Sequence, residues 1–146
     1  MKLSEHFHLD EFTFSQTAIR KAIPNIPSPE IIGNLKEVAD GMEKVRALLG
    51  NKPISITSGY RSKKLNEAVG GAKTSAHMLG YACDFICPSY GKPIDIVRKI
   101  AASKLEFDQC IQEGTWVHIS FAPEMRKKVM TALFDGNGGV RYTEGV

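Results

Sequence analysis

A chain of 146 residues has the size of one ordinary domain and is long enough to bury a core without staples. Hydrophobic residues make up 42% and charged residues 24%, which excludes a disordered chain, and no stretch approaches the roughly 20 apolar residues that span a bilayer. A net charge of +3 is too slight for a nucleic-acid binder, which concentrates Lys and Arg on one stripe.

Residues 1–27 are expected to be irregular, with Phe7, Leu9, Phe12 and Phe14 tucked onto the core. The N-terminus holds no continuous apolar run, so no signal peptide is expected. His6 and His8 read as surface residues, because nothing acidic is organised around them. Pro24-Asn25-Ile26-Pro27 reads as an extended connection. The clearest helix follows, with Ser28 as N-cap, Pro29 as first helical residue, Glu30 in the first turn and Gly50 just past the end. Ile31, Leu35, Val38, Met42 and Val45 recur at the spacing of a core-facing stripe.

Alternation predicts a strand over 53–57, followed by a turn at Ser58-Gly59-Tyr60-Arg61 and a short helix over 62–69 that Gly70 and Gly71 break. One helical turn is expected over 74–79, closed by Gly80, and a second strand over 82–86. A helix over 93–102 precedes a hairpin, with strands over 107–112 and 116–121. A last helix is expected over 123–134, with the run Arg126-Lys127-Lys128 as its solvated face. A glycine-rich turn over 135–139 and an edge strand over 140–143 complete the chain. Helices and strands mix without a βαβ repeat, which predicts a single α+β domain: a small antiparallel sheet flanked by helices.

Cys83, Cys87 and Cys110 are too few and too odd in number for a disulfide framework. They read as reduced, half-buried thiols of a protein made in a cytoplasm. Cys83 and Cys87 have no second Cys or His pair nearby to complete a zinc knuckle.

Three side chains carry chemistry. His77 sits on the short helical turn, Asp84 comes seven residues later in a strand, and His118 lies in a distant strand. Two imidazoles and a carboxylate form a donor set for zinc that leaves a fourth place open. Alternation sets Asp84 on the face opposite Cys83 and Phe85, and His118 on the face opposite Val117 and Ile119. Spacing alone leaves a second reading open: an exposed His, a structural Asp and a satisfied strand His.

Three blocks narrow the choice: Ser58-Gly59-Tyr60-Arg61-Ser62, the run from Gly70 through Ser75-Ala76-His77 and Gly80-Tyr81-Ala82-Cys83-Asp84, and Trp116-Val117-His118-Ile119-Ser120. In this order they resemble the zinc D-Ala-D-Ala carboxypeptidase family, peptidase family M15, and within it the small phage endolysin-like members. Leu3-Ser4 and Phe7 ahead of Asp10-Glu11-Phe12 fit those members too. The resemblance implies a hedgehog/D-Ala-D-Ala peptidase-like fold and one zinc ion held by His77, Asp84 and His118. It implies that Arg61 contacts substrate or polarises its carbonyl, a role that suits a permanent cation. Ser75 is expected to cap the turn bearing His77.

The proton-transferring base departs from the family pattern. Several relatives carry an acid three residues before the last ligand, where this chain has Thr115, and many carry a His two before it, where it has Trp116. Glu113 is the nearest acid and is chosen as base; Asp108 is the next. Trp116 reads equally as a substrate-facing wall or as packing. The implied activity is hydrolysis of an amide bond in peptidoglycan stem peptides or cross-links, by a monomer that acts at the wall after release or delivery. Its partner is the wall peptide, with neither nucleic acid nor membrane insertion. The alternative is a non-catalytic wall-binding or phage structural module with the same fold.

Overall fold

A computed structural model describes residues 1–146. The N-terminal stretch is not irregular throughout. It forms two short helices, α1 (Leu9–Thr13) and α2 (Gln16–Arg20). Glu11 Oε2 accepts from His8 N at 2.7 Å, and Ser15 Oγ accepts from Ala18 N at 3.2 Å, so each helix has a local cap. Phe7 and Phe12 are buried in the core and Leu9 packs against it, but Phe14 is exposed. His6 is also not free of acids: its Nδ1 lies 2.7 Å from Glu43 Oε1. Glu43 Oε2 accepts from Ser4 Oγ and from His6 N, which pins the N-terminus to the long helix.

That helix is α3 (Pro29–Leu48), capped by Ser28 Oγ on Ile31 N at 3.3 Å. Strand β1 (Ser55–Ser58) precedes α4 (Lys63–Ala68), and a 3₁₀ turn (Ala76–Leu79) leads into β2 (Ala82–Ile86). Helix α5 (Pro93–Ala101) then precedes β3 (Gln109–Gln112) and β4 (Val117–Ser120). Two more strands complete the chain, β5 (Lys128–Phe134) and β6 (Val140–Glu144).

The expected last helix is therefore wrong. Residues 128–134 form a strand whose first four residues pair in parallel with β3, Ile111 opposite Met130. Met125 and Lys127 hold positive φ angles of 44° and 54°, which break helical continuity before it can start. Met125, Val129 and Leu133, four apart, imitate a helical stripe, whereas pairing with β3 satisfies the backbone in the sheet. The run Arg126-Lys127-Lys128 is accordingly no helix face, and Arg126 pairs with Asp108.

The six strands run in the order β1-β2-β4-β3-β5-β6. All neighbours are antiparallel except β3 and β5, so the sheet is mixed rather than purely antiparallel. One face carries Cys83, Phe85, Cys110, Val117 and Ile119, packed with Leu35, Val38 and Met42 of α3 and Ile96 and Ile100 of α5. All three cysteines are fully buried, deeper than expected. Covering that face with helices leaves the other open, and the alternation of each strand directs Asp84 and His118 to it.

Candidate metal centre

Strand register builds the site. Asp84 and His118 are directly opposed in the β2–β4 pair, so their side chains rise side by side from the open face. His77 comes to them from the 3₁₀ turn, which Ser75 starts by accepting from His77 N at 3.2 Å. Gly80 ends that turn with φ +74°, and a Cβ there would lie 2.8 Å from Ile31 Cγ2. Both the left-handed backbone and the close approach to α3 require glycine.

His77 is 2% exposed, and its Nδ1 lies 2.6 Å from the Gly59 carbonyl oxygen. Nδ1 therefore carries the proton and donates it, which turns a neutral Nε2 toward the site. Gly59 can serve because it is pressed against α1: a Cβ there would sit 2.5 Å from the Phe12 carbonyl oxygen. His77 Nε2 lies 3.3 Å and His118 Nδ1 3.0 Å from the same oxygen, Asp84 Oδ1. One donor atom from each of His77, Asp84 and His118 lies within 4.8 Å of the others. Converging donors of this chemistry, one of them on a buried and pre-oriented imidazole, fit a zinc ion.

The electrostatics agree with that donor set. Burial lowers the His77 pKa more than Asp84 raises it, so the ring is neutral and its lone pair free. Burial pushes the Asp84 carboxyl up, but the His118 and His77 rings beside it outweigh burial and keep Asp84 ionised. Both partners are thus in the protonation states that metal ligands need.

Around the three donors lies an open cleft of about 1020 Å³. It holds every sequence-predicted site residue: Arg61, Ser75, His77, Asp84, Asp108, Glu113, Trp116 and His118. Arg61 is fixed through its backbone, which donates to the His77 carbonyl at 3.1 Å, and its buried Nε has no hydrogen-bond partner. Burial lowers its pKa while Asp84 and Glu113 raise it, placing those two carboxylates within its field. Burial raises the Glu113 pKa above its ordinary value. Asp84 adds to the rise, and His118, the Trp116 indole and Arg61 oppose it. The Trp116 N–H favours the ionised carboxylate by proximity but makes no aligned hydrogen bond, and its ring packs against Phe134 at 6.3 Å.

Asp108 is engaged elsewhere. Its Oδ1 accepts from Arg126 Nε at 2.8 Å and from Arg126 N at 3.1 Å, and its Oδ2 accepts from Arg126 Nη2 at 2.9 Å. With both oxygens held, it is a structural clamp rather than a second base. Sequence reasoning missed Arg126, the Gly59 carbonyl and Tyr142, which also lines the cleft. For Tyr142 the signal was parity in the last strand; for the carbonyl there was none, because no side chain marks it.

An α+β domain whose open sheet face gathers a His-Asp-His donor set beside a half-buried arginine and a carboxylate fits the zinc metallopeptidase class. The chain belongs to the Peptidase M15 family, whose model matches residues 5–120. A zinc D-Ala-D-Ala carboxypeptidase from Streptomyces albus G is 42% identical over 50 residues, 34% of this chain. The match covers only 20% of that relative's length.

Proposed function

We propose that the protein is a zinc-dependent peptidase that hydrolyses an amide bond in the stem peptides or cross-links of bacterial peptidoglycan. In this reading it is a phage or prophage endolysin, made in the cytoplasm and acting as a monomer at the wall after release. The observation that carries the reading is the convergence of the His77, Asp84 and His118 donors in the cleft that also holds Arg61 and Glu113. The name of the Streptomyces albus G relative supports a substrate containing a D-residue.

His77, Asp84 and His118 would hold the zinc ion, which when bound would supply Lewis acidity to a water and to the scissile carbonyl. Glu113, with its pKa raised by burial, takes the proton of the attacking water and returns it to the leaving amine. The Arg61 guanidinium, charged and with an unpartnered N–H, supports the oxygen on which negative charge develops. Gly59 holds the His77 ring in the ligating tautomer through its carbonyl.

Purified protein on isolated peptidoglycan, with and without added zinc, tests the reading by mass spectrometry of released fragments. Zinc-dependent fragments that vanish in His118→Ala are the expected outcome, and their masses identify the bond. Folded, zinc-loaded protein that releases nothing from walls of several chemotypes would replace the peptidase with a wall-binding module.

A further inference from the structure

The cleft extends past the residues that match the family model. Its far wall comes from the hairpin of β5 and β6, beyond residue 120. Register fixes which side chains of that hairpin face the metal centre. His118 opposes Ile111, Ile111 opposes Met130, and Met130 opposes Glu144, a row that runs across the sheet on the open face. Two residues along each strand, alternation returns the side chain to the same face. The next row thus contains Glu113 after β3, Ala132 on β5 and Tyr142 opposite Ala132 on β6.

Glu113 and Tyr142 are therefore two strands apart, about 10 Å between backbones at the usual spacing. A glutamate and a tyrosine bridge that distance from the two sides only if the residue between them stays low. Ala132 is that residue, and it is buried at 5% exposure although its own side chain is a single methyl. Glu113 and Tyr142 both line the cleft. The Tyr142 phenol is held above its ordinary pKa by burial first and then by the Glu113 carboxylate.

We propose that Tyr142 is the positioning residue for Glu113: its phenol O–H reaches over Ala132 and donates to one carboxylate oxygen, leaving the other turned toward the metal centre. An ionised carboxylate that is free to rotate spends part of its time facing away from its target. A donor from the fixed edge strand removes that freedom. The proposal rests on the peptidase reading for its kinetic arm alone.

Two arms test it. With peptidoglycan fragments as readout, Tyr142→Phe keeps the ring and removes the donor. The expected result is a kcat about ten-fold lower with KM unchanged within about two-fold. In the Glu113→Gln background, Tyr142→Phe is expected to add nothing further, because the two act as one unit. The second arm needs no turnover. In protein labelled with ¹³Cζ-tyrosine, the Tyr142 resonance, assigned by its loss in Tyr142→Phe, is followed against pH. Its midpoint is expected to fall in Glu113→Gln and to stay put in Asp108→Asn. An unchanged midpoint in Glu113→Gln overturns the proposal whether or not the wall is cleaved. So does full kcat in Tyr142→Phe, or an effect that adds in full to that of Glu113→Gln. Wild-type protein that cleaves nothing while its Tyr142 midpoint depends on Glu113 would sink the peptidase reading and leave the contact standing.

Discussion

Glu113 and Asp108 are both acids at the ends of strand β3, yet their surroundings divide them. Asp108 is closed at both oxygens by Arg126, whose hydrogen bonds are the main cause of its lowered pKa. Glu113 is lifted by burial and carries no such clamp. A group that must take and release a proton near neutrality needs the second environment. Replacing Glu113 with Gln keeps its volume and removes the proposed base. The rate of fragment release is expected to fall by about 10²–10⁴-fold. Zinc content, read by metal analysis, is expected to stay at the wild-type level, because Glu113 is outside the donor set.

At the scale of elements, the Asp108–Arg126 pair joins the entry of β3 to the entry of β5. It lies beside the backbone bonds Lys127 N to Phe107 O and Lys128 N to Asp108 O, both 2.8 Å. These contacts start the one parallel pairing in the sheet. Asp108→Asn breaks the charged fork and leaves a buried amide that cannot accept on both sides. A drop in melting temperature of about 5 °C is expected in scanning calorimetry, with the rate of fragment release retained within about two-fold. The reverse pattern, an unchanged melting temperature with activity abolished, would return Asp108 to the role of base.

For the whole molecule, the helices that close one face of the sheet leave thiols in the core. Burial pushes the Cys110 pKa up to about 12, from 9.0 in a solvated chain. Below pH 9 the thiol is protonated in both folded and unfolded states and adds no pH dependence. Between 9 and 12 the unfolded chain releases the proton and the folded chain keeps it, so stability falls as pH rises. The slope from this one group is about 1.4 kcal/mol per pH unit. Denaturant titrations across that range are expected to show a shallower decline in Cys110→Ala than in wild type. The same burial predicts that a thiol reagent labels Cys110 only on unfolding.

The sequence alone determined the features that local chemistry and short-range periodicity set. Ser28, Pro29 and Gly50 bounded α3 because capping is a matter of adjacent residues. Alternation placed Asp84 and His118 on the face opposite Cys83, Phe85, Val117 and Ile119 because strand parity is fixed by the backbone. The three motif blocks named the donor set and the family. Tertiary structure alone decided the rest. The run over 123–134 reads as a helix by spacing and is a strand because β3 offers it a parallel partner nearly twenty residues away in sequence. The roles of Asp108 and Glu113 are set by Arg126 and by burial, and the tautomer of His77 by a carbonyl on Gly59. Such contacts are long-range: their partners are brought together by the closure of the sheet, which no local pattern in the chain encodes.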